Sequence, residues 1–202
     1  MTLSLASFAK TYYGPSDEEI LGMYIDLVPV NPKAWEYITN IEPHIFLGGV
    51  PKPTDEAAYE SNFNMDCSPH FVIFQHRIKN LISFSDYPVI WNLGYLSEYQ
   101  HHVVYDHYST EIWRLFEMTN ALIEKAKCSG EAIFVHCHAG ISRSVTCLAA
   151  YYLKNGIPES ERSPTVKEVV RFLQSRRSFV IPNPGFLKQL QMYREYLDFQ
   201  NA

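Results

Sequence analysis

No Cys-x-x-Cys pair occurs among the four cysteines of this 202-residue chain, Cys67, Cys128, Cys137 and Cys147, so neither a paired redox thiol nor a zinc ribbon is indicated. Reduced thiols are the expected state, with the cytoplasm as the expected compartment and the nucleus also open. Positive charge is scarce. Lys and Arg total 17 against 22 Asp and Glu, a net charge of −5, which argues against a general nucleic-acid binder but allows a local cationic pocket. The first 40 residues hold only Lys10 and Lys33, so no basic docking cluster is expected there. No apolar run approaches a membrane span. The start, "MTLSLASFAKTYYG", has no basic residues followed by a long apolar run, so no signal peptide is expected. The end, "YLDFQNA", carries no prenylation box. Repeats and low-complexity tracts are lacking too.

What remains is globular: 47% hydrophobic and 19% charged residues, enough for one well-buried domain and too few for two. Residues 1–39 read as an extension, with Ser16 and Glu19 as a capping box before a short helix in "DEEILGMYIDL", stopped by "VPVNP". Residues 40–202 read as the domain proper. Ile41–Gly49 predicts a strand, followed by a polar connection over 51–76. Residues 69–77 predict a helix opened by Ser68 and Pro69. Strands follow at Ile78–Ser85 and His102–Asp106. From Ser109 the apolar spacing turns helical through Ala126, with Gly130 beyond its end. "AIFV" (132–135) is a continuous apolar run of the kind covered on both faces of a sheet. Helices are expected in "SVTCLAAYYLKNG", from Ser163 as cap and Pro164 as first residue to about Arg177, and in "NPGFLKQLQMYREYL". Arg171, Arg176 and Arg177 are expected to solvate a helix end. The fold class is α/β (α+β, three-layer), with a central, mostly parallel twisted sheet flanked by helices.

Between the apolar strand and the next helix lies "HCHAGISRS" (His136–Ser144). A helix N-terminus offers unpaired N–H groups and a positive dipole end, so a loop entering it can cradle an anion. Gly140 permits turns closed to other residues. The guanidinium of Arg143 fits a phosphate with two parallel hydrogen bonds. Cys137, at the strand end, is placed as a nucleophile whose anionic sulfur the dipole and Arg143 would favour. A metal site fits poorly: His136, Cys137 and His138 are adjacent and point in different directions, and no second ligand cluster is evident. The plain alternative is a strand-to-helix turn with an inert buried cysteine. It accounts for each residue singly but not for the combination.

The stretch matches H-C-x-x-G-x-x-R-[ST], and the chain resembles the cysteine-dependent dual-specificity branch of the protein tyrosine phosphatase superfamily from about Asn40 to Phe199. The resemblance includes "IFLGG" and "RSFVIPNPGFLKQL"; residues 1–39 and 51–76 match it less well. It implies a protein tyrosine phosphatase-like fold and hydrolysis through a phosphocysteine. Cys137 would be the nucleophile and Arg143 the phosphate clamp. Backbone N–H groups of His138, Ala139, Gly140, Ile141, Ser142 and Arg143 would bind phosphate, and Ser144 would assist thiolate release. It implies that His136 supports the loop, that Asn183 braces it, and that Asp106 in "VVYDHYST" is the general acid and base. The bland readings of Asp106 and Asn183 are a loop carboxylate and a helix cap. His138 enters as a loop position whose backbone matters more than its ring. No cofactor and no metal are implied. The expected partners are phosphoprotein substrates, protein kinases among them, without nucleic acid or membrane. Neither a W-P-D acid loop nor a K-N-R-Y-type segment is visible, which suggests a shallow pocket open to phosphotyrosine, phosphoserine and phosphothreonine. The alternatives are a phosphoinositide or RNA 5′-phosphatase of the same superfamily, or a non-catalytic phosphoprotein-binding module.

Overall fold

Alternation of apolar side chains along five short segments builds a sheet with two unequal sides. A computed structural model describes residues 3–29, 38–50, 73–87, 93–158 and 160–202. Strands β1 (Ile38–Glu42), β2 (Ile45–Gly49), β3 (Ile78–Phe84), β4 (Glu98–His102) and β5 (Ala132–Cys137) lie in the order β1-β2-β5-β3-β4. All neighbours are parallel except β1 with β2. Ile45, Leu47, Ile133, Val135, Ile82 and Phe84 face the main core, while Phe46, Phe134 and Leu81 belong to a smaller cluster with Ile78 and Ile73. β5 is buried along its whole length, as its unbroken apolar run requires.

The helices are α1 (Leu5–Thr11), α2 (Asp17–Leu27), α3 (Phe116–Cys128), α4 (Arg143–Asn155), α5 (Val166–Arg176) and α6 (Pro184–Asn201). Every residue of α4 from Arg143 to Leu153 is buried, so this helix is the central rod on which α3, α5 and α6 pack. Gly156, at φ 87, ends it. α2 starts with the expected capping box: Glu19 N–H donates to Ser16 Oγ, and Ser16 N–H donates to Glu19 Oε2 at 2.8 Å.

Several expected boundaries move. Ile41–Gly49 is a hairpin rather than one strand, because Pro43 and His44 (φ 71) make a turn. The strand expected at His102–Asp106 ends at His102, opposite Phe84 at the end of its neighbour β3, and no further partner lies among the described residues. Residues 112–115 form a 3₁₀ turn and α3 begins only at Phe116, because Ser109 is engaged by the His107 ring instead of capping a helix. α5 is capped by Thr165, not Ser163. Thr165 and Glu168 form a reciprocal box, which outcompetes the serine and leaves Pro164 outside. Of the helix expected over 69–77, residues 73–75 are helical and 69–72 lie outside the described residues, as do Cys67, most of "VPVNP" and 51–72 of the polar connection.

The first two helices share the main core. Leu27 is fully buried, Phe8 packs on Tyr196 and Phe199, and Lys167 and Lys188 pair with Asp26 and Asp17. Gln174 of α5 donates from Nε2 to the carbonyls of both Leu27 and Val180, tying the end of α2 to the segment entering α6. Leu27→Ala should cost about 3 kcal/mol, the usual loss for a buried leucine. Ile25→Ala, at an exposed position two residues earlier, should cost well under 1 kcal/mol. Urea unfolding midpoints of the two variants check the difference.

Candidate active site

Parallel pairing brings Gly49 beside Cys137 at the carboxyl edge of the sheet, and Val50 N–H donates to the Cys137 carbonyl at 3.1 Å. The chain then turns through residues 138–142 into α4. Three successive carbonyls of this turn are held from behind. Arg177 donates from Nε to the Gly140 oxygen at 3.0 Å and from Nη2 to the Ala139 oxygen at 3.3 Å, and Ile181 N–H donates to the Ile141 oxygen at 2.9 Å. Among the described residues no peptide bond is cis, and across a trans peptide the N–H points opposite to the preceding C=O. The N–H groups of Gly140, Ile141 and Ser142 are therefore directed to the front. Gly140 N–H does reach the Cys137 sulfur, at 3.2 Å.

This turn fits only against bare backbone. A Cβ on Gly49 would come within 2.5 Å of the Ala139 and His138 backbone, and one on Gly140 (φ 66) would strike the Gly48 carbonyl. The "GG" of "IFLGG" is thus part of the site. Arg177 was expected to solvate a helix end. It is instead 2% exposed, because three acceptors (Ala139, Gly140 and the Thr39 hydroxyl) surround its guanidinium and Phe179 lies under it at 4.4 Å.

The expected catalytic residues converge. Cys137, 1% exposed, accepts hydrogen bonds at Sγ from Gly140 N–H and from Ser144 Oγ, each at 3.2 Å. Two donors on one sulfur suit an anion. His136 is buried and its Nδ1 bonds the Cys137 carbonyl at 3.1 Å. The bond to a carbonyl requires that Nδ1 carry the proton. Burial pushes the His136 pKa down to about 4, so the ring is neutral at ordinary pH. Cys147, on α4, is fully buried, and burial pushes its thiol far above the usual range; Cys128 is exposed at the end of α3.

Arg143 lies along the floor of the site, donating from Nη1 to the Val104 carbonyl at 3.0 Å. Two carboxylates face it: Asp106 Oδ2 lies 3.6 Å from Nε and Asp86 Oδ1 lies 3.6 Å from Nη1. Asp106 Oδ1 accepts from both Ser142 Oγ and Asn183 Nδ2, each at 2.8 Å. Two donors thus occupy Oδ1, while Oδ2 faces the Arg143 guanidinium. Asn183 is also the cap of α6, accepting at Oδ1 from Phe186 N–H, so the residue caps the helix and contacts Asp106 at once. Its own N–H donates to Ser142 Oγ at 3.2 Å.

The His138 ring has a contact of its own. Tyr87 Oη donates to the Val50 carbonyl at 3.0 Å, so at 2.8 Å from His138 Nδ1 it accepts that ring's proton. Tyr87 and Asp86, just beyond β3, carried no signal in the sequence, and Arg177 carried only that of a helix end. Only the paired arginines in "SRRSF" hinted at one of them, since nothing local marks a residue that acts across the fold. Among the described residues, no group of three His, Cys, Asp or Glu side chains is arranged to hold a metal ion.

Residues 73–196 match the family described as dual specificity phosphatase, catalytic domain. The chain is similar to tyrosine-protein phosphatase yvh1 of Schizosaccharomyces pombe, with 33% identity over 72% of this chain and 46% of that protein. It also resembles protein phosphatase Slingshot homolog of Xenopus laevis, 36% identical over 46% of this chain but only 13% of that one. It therefore spans less than half the length of either relative. Among solved structures it resembles the human tyrosine phosphatase-like serine/threonine/tyrosine-interacting protein, with a TM-score of 0.61 and 27% identity over 82% of this chain and 98% of that one.

Two outcomes test this geometry. Gly49→Ala should weaken inorganic vanadate binding by about tenfold or more through displacement of the 138–142 backbone, read as an inhibition constant. The low pKa of His136 means that the folded state must take up a proton at lower pH than the unfolded chain does. The stability it supplies is complete above about pH 6.5 and is lost as pH falls toward 4, by up to about 3 kcal/mol. Melting temperatures should drop across that window, and His136→Gln should flatten the dependence.

Proposed function

The chain belongs to the dual specificity phosphatase family, and on that premise we propose that it hydrolyses phosphotyrosine and phosphoserine or phosphothreonine in proteins through a phosphocysteine. The reading rests above all on one arrangement: the Cys137 sulfur, with two donors aimed at it, faces a loop that also carries Arg143 and touches the Asp106 carboxylate. The forward N–H groups and Arg143 would hold the three non-bridging phosphate oxygens and stabilise their charge as it redistributes. Sulfur attacks phosphorus, the bond from phosphorus to the substrate oxygen breaks, and that oxygen takes the proton from Asp106. Water then attacks the phosphocysteine and gives a proton to Asp106. The P–S bond breaks, and Ser144 Oγ–H stabilises the departing thiolate. His136, Asn183 and Arg177 act by position and do not touch the substrate.

A second reading is a phosphoprotein-binding module without turnover, which the likeness to a protein named as phosphatase-like and interacting makes worth testing. The intact Cys137, Arg143 and Asp106 favour turnover. Wild-type protein should hydrolyse p-nitrophenyl phosphate and phosphopeptides, and Cys137→Ser should not rise above background. Equal rates for the two proteins would leave only the binding reading. Asp106→Asn should slow phosphoserine hydrolysis about 10²–10⁴-fold and p-nitrophenyl phosphate far less, since nitrophenolate departs without a proton. Uniform loss across leaving groups would remove Asp106 from the acid role.

A further inference from the structure

Nine large apolar or aromatic side chains are exposed among the described residues, and three of them, Val103 (62%), Tyr105 (62%) and Tyr108 (69%), fall within the six residues around Asp106. Elsewhere in this segment the inward groups are engaged. Val104 is buried with its carbonyl on Arg143, and Asp106 is bound by Ser142 and Asn183. The backbone is fixed by α6. Tyr108 lies so close to Gly185 that a Cβ there would overlap its carbonyl, and Gln189 accepts from Trp113 N–H and donates to the Thr110 carbonyl. The His107 ring lies 4.3 Å from that of Tyr108. The outward side chains are therefore presented on a segment whose conformation is already set, which lowers the entropic cost of using them in binding.

We propose that Val103, Tyr105 and Tyr108 form an apolar ledge, continuous with the phosphate pocket, that binds the side chains flanking the phosphorylated residue of a protein substrate and favours large apolar neighbours. The inference rests on the phosphatase reading above. The oxygen that Asp106 protonates belongs to the substrate's side chain, so the substrate backbone must leave the pocket past Asp106. Neighbours spaced about 3.3–3.6 Å per residue then pass over positions 105 and 108. Tyrosine suits this task, offering a large amphipathic face for two side-chain torsions. Charge points the same way. Residues 98–113 contain no Lys or Arg, Arg114 is paired with Glu111, and the nearby carboxylates are Asp86, Asp106 and Glu111, so acidic flanks find no lysine or arginine partner on this loop.

The test uses two phosphotyrosine peptides of equal length, one with Leu and Phe on both sides of the phosphotyrosine and one with Asp at those positions. Their dissociation constants are measured by fluorescence anisotropy on Cys137→Ser protein, which judges the ledge independently of turnover. The apolar peptide should bind about tenfold more tightly, the effect of one or two well-packed aromatic contacts. Adding Tyr105→Ser and Tyr108→Ser should abolish the preference, and Tyr105→Phe should keep it. In protein with Cys137 intact, the two serine substitutions should leave kcat/KM for p-nitrophenyl phosphate within about twofold, since this substrate has no flanking residues. Equal affinity for the two peptides, or tighter binding of the acidic one, overturns the ledge. Loss of both peptides alike in the double-serine variant overturns it too. Absent p-nitrophenyl phosphate hydrolysis by the wild type, with the apolar preference intact, overturns instead the catalytic reading.

Discussion

The carbonyl oxygens of Ala139, Gly140 and Ile141 are held behind the loop that follows β5, the first two by Arg177 and the third by the Ile181 N–H. Because trans peptides oppose their C=O and N–H, this rear attachment turns the Gly140, Ile141 and Ser142 N–H groups to the front, where an anion would find them. The glycines at 49 and 140 admit the backbone to its neighbours, and the α4 terminus adds its dipole on the same side. A buried arginine would be costly without partners; here the carbonyls it satisfies are the ones whose direction matters most.

That attachment depends on chain segments far from the loop. Arg177 ends α5, and Ile181 lies in the segment before α6. Gln174 joins the carbonyls of Leu27 and Val180, so the end of α2 is tied to the same segment. Residues 177–183 thus link three parts: the loop, the segment of Asp106 through Asn183, and the N-terminal helices. Ser142 strengthens the link from the other side, donating to Asp106 and accepting from Asn183 N–H. Asp106 and the loop share hydrogen bonds, so their relative position is set by the fold itself.

Elements with a strong local signal were legible in the sequence. The apolar run of β5, the helical spacing of α3, α4 and α6, and the Ser16–Glu19 box each announce themselves within a few residues. Boundaries set by competition were not. Thr165 displaced Ser163 because its box with Glu168 satisfies two backbone donors. The 102–106 strand failed for want of a partner beyond Phe84 among the described residues, although its valines have high strand propensity. Arg177 carried the same helix-end signal as Arg176, and only the fold distinguishes the buried one from its neighbour.

The motif and its strand–loop–helix setting were determined by the sequence alone: a cysteine at a strand end, a glycine, and an arginine beside a helix start can be read from adjacent positions, because the segment that joins them is local. Placement was decided only by the tertiary structure. Asp106 lies 31 positions before Cys137, and Asp86, Tyr87, Arg177 and Asn183 lie up to 51 positions away from it, on other elements; which of them meet the loop depends on sheet order and on how α5 and α6 pack against α4. The direction of the loop's N–H groups follows from contacts with those same distant residues, since an isolated loop has no reason to prefer one face of its peptides over the other.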